Sequence, residues 1–86
     1  MKMRVKLSTP EDIRRFVEIA SRYKQDMELV LGRYIVDAKS ILGILSLDLS
    51  KPLDLVVSDY VDGLESDMRG FLAAYEPSIA NAAFMA

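Results

Sequence analysis

The chain contains no histidine and no cysteine. Without imidazole there is no Ser-His-Asp or Cys-His nucleophile, no imidazole-based zinc site and no phosphohistidine relay. Without thiols there is no disulfide staple and no thiolate chemistry, which fits a reducing compartment. No apolar run approaches the ~20 residues of a membrane span. Ile41–Leu45, interrupted by Gly43, and the uninterrupted Phe71–Tyr75 and Ala82–Ala86 each span five residues. Met1–Leu7 carries charges with no apolar stretch behind them, which is not the pattern of a signal peptide. An excess of positive charge is missing too. Eleven basic residues stand against 13 acidic ones for a net charge of -2, which weighs against a dedicated nucleic-acid binder.

What is present is a globular mixture of 51% apolar and 28% charged residues. At 86 residues the chain is about half of the ~150 that serve as a prior for one domain, so one domain is expected. A chain this short buries roughly 60–65% of its unfolded surface, so its stability is expected to be modest.

Met3, Val5 and Leu7 alternate with Lys2, Arg4 and Lys6, the period-2 signature of a strand with one wet face. Thr9 suits a helix N-cap, Pro10 the first helical position, and Glu11 and Asp12 the positive end of the dipole. Ile13, Phe16, Val17, Ala20 and Tyr23 then form one face of a helix ending near Lys24. Residues 26–31 read as a second strand, Gly32-Arg33 as a type II′ hairpin turn, and Tyr34–Asp37 as a short edge strand. Ser40 is a second N-cap candidate before a short helix over Ile41–Leu47. Leu53–Asp59 is a fourth strand. Leu64, Met68, Phe71, Leu72 and Tyr75 make the stripe of a last helix that Glu76-Pro77 stops. The order β-α-β-β-α-β-α predicts an α+β fold, an antiparallel sheet of four strands covered on one face by three helices.

Ala20-Ser21-Arg22-Tyr23, Asp26 and Lys39-Ser40-Ile41-Leu42-Gly43-Ile44-Leu45-Ser46-Leu47 resemble HPr, the small phosphocarrier of the bacterial phosphoenolpyruvate-dependent sugar phosphotransferase system. The resemblance runs from about Val5 to Tyr75 and implies the family's open-faced sandwich for residues 1–76. It also implies a bacterial, cytoplasmic protein that is not an enzyme and uses no cofactor. The family carries its phosphoryl group on a His at the start of the first helix, followed two residues later by an Arg. Here Thr9 stands at the His position and Glu11 at the Arg position. The nucleophile is absent and the neighbouring cation has become an anion, so no catalytic residue is expected. In this the chain is similar to the family's catabolite-repression paralogue, which lacks the His and keeps a regulatory serine.

That regulatory serine maps onto Ser40. The resemblance implies a phosphoserine switch there, with Lys39, Leu42, Leu45 and Ser46 as partner-binding residues. The implied partners are an HPr kinase/phosphorylase and a LacI-type transcription regulator, with no direct nucleic-acid or membrane contact. From the residues alone, Ser40 and Thr9 are equally well explained as helix caps. Ile41, Ile44 and Leu47 are expected in the core, with Leu42 and Leu45 exposed, because so short a helix cannot bury all five. Asp59, Asp62, Glu65 and Asp67 fit no EF-hand spacing and read as a solvated helix start. Arg14, Arg15 and Arg22 read as a solvated helix side that also offers a basic rim. Residues 77–86 are apolar and uncharged, so this tail is expected to dock on its own sheet or on a second protomer in a homodimer. The alternative to a regulatory adaptor is therefore an HPr fold repurposed as a structural or oligomeric module.

Overall fold

The structure is a computed structural model that describes residues 1–73. Four strands, β1 (Lys2–Val5), β2 (Met27–Leu31), β3 (Tyr34–Asp37) and β4 (Leu53–Val57), form one antiparallel sheet in the order β1-β4-β2-β3. The helices are α1 (Pro10–Ala20), α2 (Ile41–Leu45) and α3 (Leu64–Asp67), and a 3₁₀ turn follows over Arg69–Phe71. The element order and the sheet match the sequence reading.

Period-2 alternation puts Val5, Leu29, Leu53 and Leu55 on one face of the sheet, where all four are fully buried. Phe16 and Ile13 of α1, Ile44 of α2, and Leu64 and Met68 cover that face. Phe71 meets Phe16 edge-on, ring centroids 5.8 Å apart, and Arg15 lies 5.4 Å over the other side of the Phe71 ring. Among the described residues no helix covers the opposite face. There Arg4 and Asp54 are cross-strand partners, 3.3 Å apart. Among the described residues no polar or charged side chain is buried, and no helix is long and apolar enough to cross a membrane.

Gly32 has φ +62° and Arg33 has no positive φ, as the type II′ turn requires. Gly43 is needed for packing. A Cβ there would lie 3.2 Å from the Val36 Cβ and 3.3 Å from the Ser40 Oγ, so glycine lets α2 sit down on β3.

Two expectations are corrected. The last helix does not run to Tyr75. It ends at Asp67, and the chain is extended by Leu72. The stripe residues Leu64, Met68 and Phe71 are buried as expected, but Phe71 gets there through the 3₁₀ turn. The outer edge of β1 draws the backbone out of the helix. Lys6 N–H donates to the Phe71 carbonyl (2.8 Å), Ala73 N–H donates to the Arg4 carbonyl (2.9 Å), and Leu72 bridges Val5. An open strand edge supplies the partners that further helical turns would have supplied. Ile41 is also not core: it is 43% exposed, because only one residue per turn of α2 faces the sheet, and that residue is Ile44. The apolar segment 77–86 and its expected docking lie outside the described residues.

The end of α1 is tied to α3 by the Tyr23 hydroxyl, which donates to the Asp67 carboxylate. That bond raises the Tyr23 pKa above the usual tyrosine value. A raised folded-state value means this contribution to stability is complete below about pH 10 and is lost as pH rises through the folded value. In an absorbance titration, one tyrosine should ionise late, and Asp67→Asn should return it to the ordinary range. An unchanged titration would show that the bond does not form in solution.

Candidate functional site

At the start of α1 the side chains are engaged with one another and with the helix's own first turn. The Thr9 Oγ1 accepts from the Asp12 N–H (3.1 Å), and an Asp12 carboxylate oxygen accepts from the N–H groups of Thr9 (3.2 Å) and Ser8 (3.0 Å). This is a complete capping box, made possible by a short acidic side chain at the third helical position. Glu11 pairs with Arg14, whose hydrogen bond holds its carboxyl below the usual carboxylate range. Arg14 also reaches Glu18 at 3.0 Å. With Arg15 over the Phe71 ring, two of the three arginines read as a basic rim are already engaged within the molecule. Thr9 therefore has neither a free base to activate it nor a free cation beside it.

The second locus is α2. Ser40 is its N-cap, half-buried and extended, and its Oγ accepts from the Gly43 N–H at 3.0 Å. The preceding turn is built by Asp37, whose carboxylate accepts from the Lys39 N–H (2.8 Å) and whose carbonyl accepts from the Ser40 N–H (3.0 Å). Lys39 does not point into solvent. Its Nζ donates to the Tyr23 carbonyl at 2.6 Å, tethering α2 to the end of α1. Ser46 is exposed at the other end of α2, where its hydroxyl donates to the Gly43 carbonyl at 2.6 Å. Leu42 is 80% exposed and Leu45 54%, one turn apart. Together with Ile41 they form an apolar surface directly after Ser40.

Tyr23, which holds both Lys39 and Asp67, was not read from the sequence as more than a core residue. Its position at the end of an apolar stripe was the available signal, since a tyrosine there has a ring to bury and a hydroxyl to satisfy. The acidic residues Asp59, Asp62, Glu65 and Asp67 do not converge on a common point, and among the described residues no group of three or more metal-ligating side chains comes together.

Ser40→Ala should lower stability by about 1 kcal/mol, because the half-buried Gly43 N–H loses its acceptor. For a domain of this size that is a drop of roughly 4–8 °C in Tm. Ser46→Ala, on an exposed hydroxyl, should stay within about 0.5 kcal/mol. Equal effects in a melting experiment would contradict this geometry.

Comparison with models of known protein families and with curated proteins finds no match. Among solved structures, HPr-C-His from Thermoanaerobacter tengcongensis superposes with a TM-score of 0.62 at 22% identity, over 80% of this chain and 83% of that one. The phosphocarrier protein HPr from Bacillus anthracis str. Ames superposes with a TM-score of 0.56 at 23% identity, over 81% of this chain and 89% of that one. The likeness is one of fold, and it agrees with the strand order and the placement of the helices. The chain thus has the HPr-like open-faced sandwich: a four-stranded antiparallel sheet with three helices on one face.

Proposed function

We propose that this chain is a non-catalytic member of the HPr phosphocarrier family acting as a regulatory adaptor in the bacterial cytoplasm. In this reading it is switched by phosphorylation at Ser40 and read through Leu42 and Leu45. The observation that carries it is the adjacency of a capping serine and two exposed leucines on α2, in an HPr-like fold that has no histidine. A phosphoryl group at Ser40 adds a charge of about -1.5 to -2 beside an apolar docking surface. It also offers Lys39 a charged acceptor in place of the neutral Tyr23 carbonyl. A partner with a basic pocket gains charge-assisted hydrogen bonds, and a partner with an acidic rim is repelled. An HPr kinase/phosphorylase would write the mark, and a LacI-type transcription regulator would read it.

The carrier role is disfavoured by chemistry at Thr9. A threonine phosphoester is much less labile than a phosphoramidate, and Glu11 places a negative charge next to it. The helix N-terminus offers roughly 0.3–1 kcal/mol at an exposed position, too little to offset that repulsion.

Two experiments test the proposal. Incubation with an HPr kinase and ATP, read by intact mass, should add one phosphoryl group to the wild type and none to Ser40→Ala. Modification at Ser46 or Ser50 instead, or none at all, removes the regulatory reading. Separately, enzyme I with phosphoenolpyruvate should leave the wild type unmodified. Thr9→His should accept phosphate poorly, and adding Glu11→Arg should raise the rate on the order of tenfold or more. Efficient transfer by the single variant would show that Glu11 does not oppose the phosphoryl group.

A further inference from the structure

The sheet has two edges, and they are treated differently. The outer edge of β1 is closed by Phe71–Ala73 through the two backbone hydrogen bonds described above. The outer edge of β3 is paired with nothing among the described residues. β3 contains no Lys and no Pro, the residues that commonly blunt an edge, and Ile35 at its middle is 59% exposed.

The hydrogen-bond parity of β3 selects how a further strand can add. Ala38 N–H donates inward to the Met27 carbonyl at 3.0 Å. Antiparallel alternation then turns the backbone groups of Tyr34 and Val36 inward to β2 and those of Ile35 and Asp37 outward, with Arg33 in the turn just before the strand. A second copy adding antiparallel about a two-fold axis must set outward residues against outward residues. The register with Ile35 opposite Ile35 also brings the turn residue Arg33 alongside Asp37 of the second copy, twice by symmetry. The next allowed register would put Ile35 against Asp37 and Arg33 against Lys39, an apolar–carboxylate mismatch and a like-charge pair.

The local charge favours the first register. Within one copy Glu28 lies directly opposite Asp37 across β2 and β3, and like charges so placed destabilise a sheet. Beside them is a shallow pocket of about 320 Å³ lined by Asp26, Glu28, Ile35, Asp37 and Lys39. It holds three carboxylates and one ammonium, and that ammonium is held on the Tyr23 carbonyl. One cation stands against three carboxylates there, and Arg33 of a second copy adds another.

We propose that β3 is a homodimer interface, in which two copies pair antiparallel through Ile35–Ile35 and through two Arg33–Asp37 ion pairs to make an eight-stranded sheet. The assembly stops at two, because a two-fold contact uses the same edge of both copies and leaves no second β3 edge free. Four-residue strands bury little area, so the dimer is weak and concentration-dependent. It uses neither Ser40 nor the α2 leucines, so it stands or falls separately from the regulatory reading.

Sedimentation of the full chain over micromolar to millimolar concentration should show mass rising from monomer to dimer. Arg33→Glu and Ile35→Lys, both at exposed positions, should weaken association at least about tenfold. Asp37→Arg should do the same. An equimolar mixture of Arg33→Glu and Asp37→Arg should dimerise again, because each copy then meets the opposite charge at both pairs. That rescue cannot come from a variant that merely fails to fold. Ser40→Ala should leave the dimer unchanged. A monomer at every concentration overturns the proposal. So does a dimer indifferent to Arg33→Glu and Ile35→Lys, which would place the contact on α2 or on residues 74–86, and so does failure of the mixture to rescue.

Discussion

A sheet with one dry face has to be covered, and in this chain the cover is short. Val5, Leu29, Leu53 and Leu55 need apolar partners on one side only. α1 supplies most of them in eleven residues, with Phe16 at the centre and Phe71 set edge-on against it. α3 contributes four residues, and the chain then meets the edge of β1 through an isolated bridge at Leu72. Little of the dry face is left for α2. A five-residue helix can turn one row of side chains downward, and Ile44 fills that row. Ile41, Leu42 and Leu45 face outward because the geometry leaves them no inward position. The apolar surface beside Ser40 is thus a consequence of how the core closes.

The two helix starts differ in what they leave open. At α1, Asp12 and Thr9 satisfy each other's backbone groups, and the single cation Arg14 is shared between Glu11 and Glu18, so carboxylate charge is left in excess. An added anion would meet a site already provided with negative charge. At α2 there is no acidic residue in the first turn, and the one side-chain acceptor is the Ser40 hydroxyl. Negative charge is therefore tolerated differently at the two positions. The difference comes from residues 9–12 and 40–43 themselves and holds whatever the chain's partners are.

Much of this was readable from the sequence. The strands announce themselves through alternation, since a one-residue slip would turn Val5 or Leu55 to water. Thr9-Pro10-Glu11-Asp12 and Ser40 are local signals with local outcomes, and both caps formed where they were expected. The corrections concern competition between distant segments. Leu64, Met68, Phe71 and Leu72 have helical spacing, but spacing does not reveal that β1 has an unpaired edge within reach. Ile41 has a core residue's chemistry, but its placement depends on how much sheet α1 has already covered. Lys39 and Tyr23 are sixteen residues apart, and no periodicity links them. The resemblance could place a serine at position 40, but not the carbonyl that its neighbour holds.

The same strand serves both sides of the molecule. Val36 turns toward α2, where it sits under Gly43, while Ile35 and Asp37 lie on the open face beside Val30 and Glu28. Asp37 also builds the turn into α2, through its carboxylate to the Lys39 N–H and its carbonyl to the Ser40 N–H. The outward carboxylate of the bare edge and the hydroxyl of the capping serine are therefore three residues apart on one hydrogen-bonded turn. Both accept hydrogen bonds from the backbone of this turn or of α2, and both lie next to Lys39 in the chain. Any event that draws Lys39 off the Tyr23 carbonyl loosens the tie between α1 and α2 and changes the charge around Asp37 at once. Coupling between the two surfaces, where it exists, has to be equal in both directions, because each alters the other's binding free energy by the same amount. The turn joins the two surfaces through two hydrogen bonds, from the Lys39 N–H and the Ser40 N–H to Asp37.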